Sequence, residues 1–556
     1  MNLYHALVAT SLASLCIEYG LARHRHPQQV LEHPSYVRKS GVELVAPDDI
    51  CASTRILGET GPSKLDEWEV NSEEAPPLEL VPLVVSGSIH NRVDLVFFSD
   101  GYTQSERTKF IDDATRLAQD LTQNQTFHTV LPLLNFWAAF SPSKESGIGA
   151  DGVPKDTVFG LFRYGTELRG VYYSKPQVAR AACDTLGKGC DYPILLANDP
   201  HYGGLGGEFV TVTASHLNGP LVLRHELGHS IINVGEEYDG GFAYFGVNSF
   251  KNLSEPVFWK HWLTEPTTDS DGGPRVEHSV MPLQEYVWTM LNATTPWSTQ
   301  FSSSGAYSRH LVKFSLSGIP EASFLRVELD GVDLKWKPEP AVGLDRWHYD
   351  ILLSKGLSAG THELKFVLME ESLEDVAQLC SVEVLEYGDE SEFILKPGHY
   401  GLYPTYSNEN VTTYRPTNDD CLMRNVVVPN FCKVCLEGLW LSLLRQLSLV
   451  DLFRASCQYN PESKKWFRLL EIVLLPLAQF RTEATRVNAP QESYTIVWKK
   501  DGAVLEEFTN QTMIAIESDE SVGWYSWDLE FRTEEVRVQD GALVSWGDYY
   551  VFSRCT

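Results

Sequence analysis

The chain has 556 residues, 43% hydrophobic and 21% charged, with a net charge of −29. Those fractions are typical of globular proteins and argue against wholesale disorder, collagen-like repeats and coiled coil, and at roughly 150 residues per domain three or four folded units are expected. Because no Lys/Arg block offsets the acid excess, nucleic acid is not an expected partner.

In chain order, residues 1–22 read as a signal peptide. Ala6 to Leu15 is an uncharged apolar run too short to span a bilayer. The alternative is the N-terminal helix of a cytosolic protein. Residues 23–85 form a polar, Pro-rich lead. Val93 to Phe98 then reads as a buried strand ending in the turn Ser99-Asp100-Gly101, where Asp100 is a turn or cap acceptor before it is a catalytic carboxylate. Thr103 and Glu106 make a capping box for a helix whose Phe110, Ala114, Leu117 and Leu121 recur at helical spacing. Further strands are expected at 136–140, 192–197 and 208–214. The Gly-rich Tyr202-Gly-Gly-Leu-Gly-Gly207 lacks the Lys and following helix of a phosphate cradle, and reads as a flexible loop against a strand.

The sharpest motif is His225-Glu226-Leu227-Gly228-His229, in a stretch bracketed by Pro220 near the helix start and Gly235 past its end. By composition this pattern would arise by chance about 0.03 times in such a chain, so two unrelated surface histidines are a poor explanation. One helical turn separates the two imidazoles, so both face one ion. Leu223, Leu227, Ile231 and Val234 form a separate core stripe, and Glu226 sits beside the ligands, placed to take a proton from an activated water. A catalytic zinc needs a third protein ligand. Glu236 is the first choice, Glu237 the fallback, and His399 a distant candidate that reads as a loop residue.

From about residue 305, short alternating strands at 311–316, 324–329, 348–353 and 362–368 are the signature of a β-sandwich. An irregular and helical stretch covers 396–480, and a second β segment covers 481–556, with strands at 493–499, 529–538 and 543–551. No later segment is a membrane span. The most apolar, Leu436 to Leu452 and Trp466 to Phe480, are broken by Glu437, Arg445 and Asp451 and by Arg468, Glu471 and Pro476. Cys183 and Cys190 flank a loop that would allow a local disulfide. Cys432-Lys-Val-Cys435 has the spacing of half a zinc site, but no second such pair exists, so it reads instead as a redox pair, a disulfide or unrelated thiols. Loss of Cys16 with the signal leaves an odd cysteine count, so one thiol is expected free or paired outside the chain. Sequons at Asn124, Asn252, Asn292, Asn410 and Asn510 add a little weight to secretion.

His-Glu-Leu-Gly-His-Ser followed by Gly-Glu-Glu-Tyr resembles the metallopeptidase family named after bacterial IgA peptidases, itself similar to the metzincins. Phe98 to Thr103 with its helix, Pro142 to Ile148, Tyr202-Gly-Gly204, Tyr414-Arg-Pro-Thr and Cys421-Leu-Met-Arg424 share the likeness, which spans roughly 90 to 435. The short metzincin spacing wants Gly at Ile232 and a ligand at Gly235, and this chain has neither; the family's acidic ligand falls one residue later, on Glu236. The resemblance implies an α+β zincin catalytic domain in two parts, 86–300 and 396–480, around the inserted sandwich 301–395, with the C-terminal β domain 481–556. It makes Met423 a Met-turn beneath the zinc. The expected activity is secreted, zinc-dependent hydrolysis of a protein or peptide, with Zn2+ on His225, His229 and Glu236 and with Glu226 as general base. The alternatives are a secreted binding or adhesion protein with an inactive zincin domain, and an enzyme on a non-peptide substrate. Oligomeric state is not readable.

Overall fold

Alternation in a strand sends successive side chains to opposite faces, and the central strand of this protein uses both. The computed structural model describes residues 75–123, 125–265, 274–409 and 411–556. The expected signal peptide, most of the polar lead, Cys16, Cys51, and the sequons at Asn124 and Asn410 lie outside the described residues.

Six strands, β1 (Glu79–Val85), β2 (Val93–Asp100), β3 (Leu134–Phe140), β4 (Tyr192–Ala197), β5 (Gly204–Leu205) and β6 (Val210–Thr213), make one sheet in the order β1-β3-β2-β4-β6-β5. The inner four run parallel, and β1 and β5 are antiparallel edges. All eight residues of β2 are buried, as a parallel strand covered on both faces requires. Leu95 and Phe97 join one core with α1 (Arg107–Gln123) and α3 (Asn218–Ile231), while Val96 and Phe98 join a second with Ala179 and Ala182 of α2 (Pro176–Asp184). The expected stripe Phe110, Ala114, Leu117 and Leu121 is fully buried, and the Thr103 amide donates to Glu106 Oε2 at 2.9 Å. β1 lies within the stretch read as polar lead. Glu79 and Pro82 break its apolar alternation, and an edge strand with a register shift between Pro82 and Val84 tolerates both.

The sandwich has two sheets. Its strands are β7 (Ser279–Glu285), β8 (Thr289–Met290), β9 (Trp297–Ser303), β10 (Arg309–Ser317), β11 (Leu325–Leu329), β12 (Val332–Asp333), β13 (Trp347–Leu353), β14 (Gly360–Leu368) and β15 (Gln378–Tyr387). One sheet runs β8-β15-β10-β13 with β7 also on β15, the other β9-β14-β11-β12. Phe314 of β10 meets Phe366 of β14 edge to face at 5.3 Å across the core between them. The four expected strands are present. β7 to β9 begin earlier than the change of texture near 305, because Pro282 interrupts β7 and β9 buries only Phe301 and Ser303.

Beyond the sandwich come a hairpin, β16 (Tyr403–Tyr406) and β17 (Thr412–Arg415), then α4 (Lys433–Leu444). β18 (Val450–Asn460), β19 (Lys465–Leu474), β20 (Glu492–Lys500), β21 (Ala503–Val504), β22 (Met513–Glu517), β23 (Gly523–Thr533) and β24 (Val544–Val551) form the sheets β18-β19-β22 and β21-β20-β23-β24. Residues 450–474 are therefore a long antiparallel pair, where an irregular and helical stretch was expected. A short run such as Leu469 to Leu475, apolar but for Glu471, fits a buried helix and a strand equally well. Among the described residues no helix is long and apolar enough to cross a membrane.

These last sheets share one core with the first: Trp440 of α4 packs 5.7 Å from Phe531, in the cluster that also holds Leu227 and Met423. A buried ion pair pins the junction. Arg481 donates to both oxygens of Glu492 and to the Thr129 carbonyl, and both side chains are 1% exposed. Removing one partner strands the other charge, so Arg481→Met is expected to lower the unfolding free energy by about 3–5 kcal/mol, read as a drop in the urea midpoint. A midpoint within error of wild type would refute this.

Candidate metal centre

Burial of Leu223, Leu227 and Ile231 fixes the face α3 turns to the core, and thereby the face that carries His225 and His229. The helix ends at Ile231, so Pro220 lies in its first turn, while Gly235 does not terminate it. The glycine is needed for a different reason. A Cβ there would stand 2.5 Å from both the Ala243 carbonyl oxygen and the Phe245 amide nitrogen. The chain pairs back at this point, with the Gly235 amide donating to Phe245 and that of Glu236 to Ala243. That return swings Glu236 under the histidines.

The Nε2 atoms of His225 and His229 lie 3.2 Å apart. Glu236 Oε1 is 3.1 Å from the Nε2 of His229, and Oε2 is 3.3 Å from that of His225. The far nitrogens face carbonyls: His225 Nδ1 that of Leu422 at 3.3 Å, His229 Nδ1 that of Val234 at 3.1 Å. A neutral imidazole that donates through Nδ1 presents a lone pair at Nε2. With both rings neutral, two such lone pairs and a carboxylate converge with no proton to share, and Glu236 Oε2 is buried without a hydrogen-bond partner. Despite burial, Glu236 holds the His229 imidazolium up to about 9, and both histidines hold the Glu236 carboxyl well below the usual range. The pocket thus favours positive charge. The Tyr238 hydroxyl hydrogen-bonds to Glu236 and orients it.

Glu226 is half-buried on the same helix and bonds to the amide of Gly206; burial raises its carboxyl, against the pull of His225 and His229. The loop read as flexible is the edge strand β5 and its continuation, laid on α3. A Cβ on Gly204 would meet Val222 Cγ1 at 2.3 Å, and one on Gly206 would meet Glu226 Oε2 at 2.9 Å. The expected strand at 208–214 contains β6, which is paired on both sides; the open edge of the sheet is β5.

Of the other candidates, Glu237 points away from the histidines, its Oε1 accepting from Asn248 Nδ2 at 2.8 Å. His399 Nδ1 is 3.0 Å from the Tyr403 hydroxyl and takes no part. Asp100 is a fastener: its carboxylate accepts from Thr157 Oγ1 and the amides of Phe159 and Leu161. Arg424 is buried in an ion pair with Asp239 at 2.7 Å, and Tyr414 is tied through its backbone to Phe250. Met423 is fully buried beneath the helix, where a Cβ on Gly228 would stand 3.3 Å from its Sδ and 2.8 Å from Phe431 Cζ. Gly228→Ala would gain about 1 kcal/mol of helix propensity but lose about 1–3 kcal/mol to overpacking against a ring that cannot swing clear. A net loss of stability is expected in thermal unfolding; a raised midpoint would contradict this packing.

One contributor was invisible in the sequence. Asp345, in the loop before β13, accepts from Ser215 Oγ at 2.7 Å, Asn218 Nδ2 at 2.8 Å and the Tyr202 amide at 2.5 Å. It ties the sandwich to the start of α3 and to the β5 loop. Cys183–Cys190 forms the expected local disulfide, and Cys457–Cys555 joins β18 to the chain end. Four described cysteines are unpaired, Cys380, Cys421, Cys432 and Cys435, where a single free thiol was expected.

A helix presenting His-x-x-x-His to a returning carboxylate, above a buried Met, is an arrangement suited to a metal-dependent peptidase. Residues 81–273 match the family described as IgA Peptidase M64, and it is this segment that is similar to that family. The match begins within β1, takes in α3 and Glu236, and ends before the sandwich. No curated protein matches the sequence. Among solved structures, an FMN-binding beta-glucuronidase from Facaelibacterium prausnitzii L2-6 is 13% identical, over 43% of this chain and 30% of that one, with a TM-score of 0.11. A cycloisomaltooligosaccharide glucanotransferase from Paenibacillus sp., complexed with cycloisomaltoheptaose, is 8% identical over 67% of this chain and 58% of that one, with a TM-score of 0.12. This chain thus spans less than two thirds of either, and at these scores neither likeness bears on its fold or activity.

Proposed function

We propose that the protein is a secreted zinc-dependent metalloendopeptidase with a zincin catalytic domain. The observation that carries this reading is the convergence of two imidazole lone pairs and the orphaned carboxylate oxygen of Glu236, an arrangement a cation would satisfy. The separations of 3.1–3.3 Å are close to the edge of a tetrahedron of ligands about 2.0–2.1 Å from zinc, roughly 3.3 Å. His225, His229 and Glu236 would hold the ion, which when bound supplies Lewis-acid polarisation of the scissile carbonyl and of the attacking water.

The chain's own residues do the rest. Glu226 takes the proton from the attacking water and delivers it to the leaving amine, its carboxylate held by the Gly206 amide. The Leu422 and Val234 carbonyls fix the ring orientation of the two histidines. The open edge of β5, beside Glu226, suits main-chain pairing with an extended peptide, which favours a peptide substrate. The two disulfides favour an oxidising compartment, in keeping with the apolar run near the N-terminus. Asn252, Asn292 and Asn510 are exposed and accessible to glycosylation.

Cleavage of a quenched peptide library by the purified full chain tests this. Activity should fall to background with 1,10-phenanthroline and return on addition of zinc. Cleavage that survives complete chelation would remove the proposal.

A further inference from the structure

Behind the histidine centre lies a second convergence of ligand atoms. Cys421 follows the β16–β17 hairpin, Cys432 caps α4, Cys435 sits in its first turn, and Glu237 directly follows Glu236. The four residues are buried, and one ligand atom from each lies within 4.8 Å of all the others. We infer that Cys421, Cys432, Cys435 and Glu237 form a closed, structural metal site of the zinc class, separate from the histidine centre.

Distance separates this from a disulfide. Cys421 Sγ is 3.8 Å from Cys435 Sγ, and Cys435 Sγ is 3.8 Å from Glu237 Oε1. Thiolates about 2.3 Å from a tetrahedral zinc are roughly 3.8 Å apart, whereas a disulfide needs about 2.05 Å. The same chain does close Cys183–Cys190 and Cys457–Cys555, at 1.97 and 2.09 Å. Pairing any two of the three thiols would also leave the third buried beside a carboxylate.

That carboxylate is the second observation. Glu237 is 0% exposed, and its Oε2 has no hydrogen-bond partner. Arg424 donates through Nη1 to the Glu237 main-chain carbonyl and to Asp239, not to the Glu237 carboxylate. A buried carboxylate with one unpaired oxygen among three thiols is costly unless a cation completes it. Thiolate-rich, oxygen-poor and closed to solvent, the set selects zinc over magnesium or calcium. The helix start contributes as well: the Cys432 amide donates to Cys421 Sγ at 3.3 Å. Binding replaces the thiol protons, which leave to solvent, and no oxidant is involved. Arg415 and Arg424 lie close enough to act on Glu237 and offset the remaining negative charge.

The site would be a clamp. Glu237 neighbours Glu236, and Cys421 neighbours Leu422, whose carbonyl meets His225 Nδ1, so one ion would lock both sides of the histidine centre in place.

Metal counting on the zinc-loaded full chain tests this independently of peptidase activity. Wild type should hold two zinc ions, and both His225→Ala/His229→Ala and Cys432→Ser/Cys435→Ser should hold one. Cobalt loaded into the histidine double variant should give intense thiolate-to-metal charge-transfer absorption, and this measurement stands even if the cysteine variant fails to fold. Absence of that absorption, or a disulfide among the three cysteines on non-reducing peptide mapping, overturns the inference. One metal with a thiolate spectrum in wild type would keep this site and remove the histidine centre instead.

Discussion

Glu226→Gln is expected to lower kcat/KM on a peptide substrate by about 10²–10⁴-fold while leaving the histidine-bound metal in place. The two halves of this expectation rest on different contacts. No distance within the His225, His229 and Glu236 triangle involves Glu226, so the ion's ligands are untouched. Gln has the same shape and still accepts from the Gly206 amide, so the helix and the β5 loop keep their contact. What disappears is the capacity to take up a proton and pass it on. Metal content and steady-state kinetics on one preparation separate the outcomes. Full activity with bound metal would show that another group moves the proton, and loss of metal would make Glu226 a support of the centre. The conservative variant Glu226→Asp shortens the reach and should retain measurable activity, which a purely structural role would not predict.

The sequence showed what depends on near neighbours. Phe110, Ala114, Leu117 and Leu121 lie one turn apart, and their periodicity survives folding because the helix itself creates it. His225 and His229 were legible for the same reason, and Glu236 because only a few residues separate it from the helix. What turns Glu236 rather than Glu237 toward the histidines is the pairing of Gly235 and Glu236 with Phe245 and Ala243, a return no local pattern announces. Cys421 and Glu237 meet Cys432-Lys-Val-Cys435 only after the chain has passed through the whole sandwich, so half a motif looked isolated. β9 hid because five of its seven residues are not buried. Glycine in the 202–207 loop suggested freedom, but at Gly204 and Gly206 the missing Cβ makes room for α3.

Asp345→Ala is expected to lower stability by about 3 kcal/mol and kcat/KM by about 10–100-fold, although the residue touches neither substrate nor metal ligand. Its carboxylate is 8% exposed and accepts four donors: the amides of Tyr202 and Arg346, Ser215 Oγ and Asn218 Nδ2. Alanine would leave these donors buried and unpaired, each a desolvation cost of about 1–3 kcal/mol before relaxation. The α3 N-cap, Leu217, has no side-chain hydrogen bond of its own, so Asp345 is also the negative group that complements this end of the helix dipole. The effect on rate follows from Tyr202. Its amide anchors the segment whose Gly206 amide meets Glu226, and a loosened segment would misplace Glu226 with no change in His225, His229 or Glu236. Asp345→Asn retains an acceptor oxygen for part of this set and should fall between the two. Urea midpoint, zinc content and kinetics measured together decide the matter: a stable, metal-loaded Asp345→Ala enzyme with wild-type kcat/KM would show that the sandwich does not position the site.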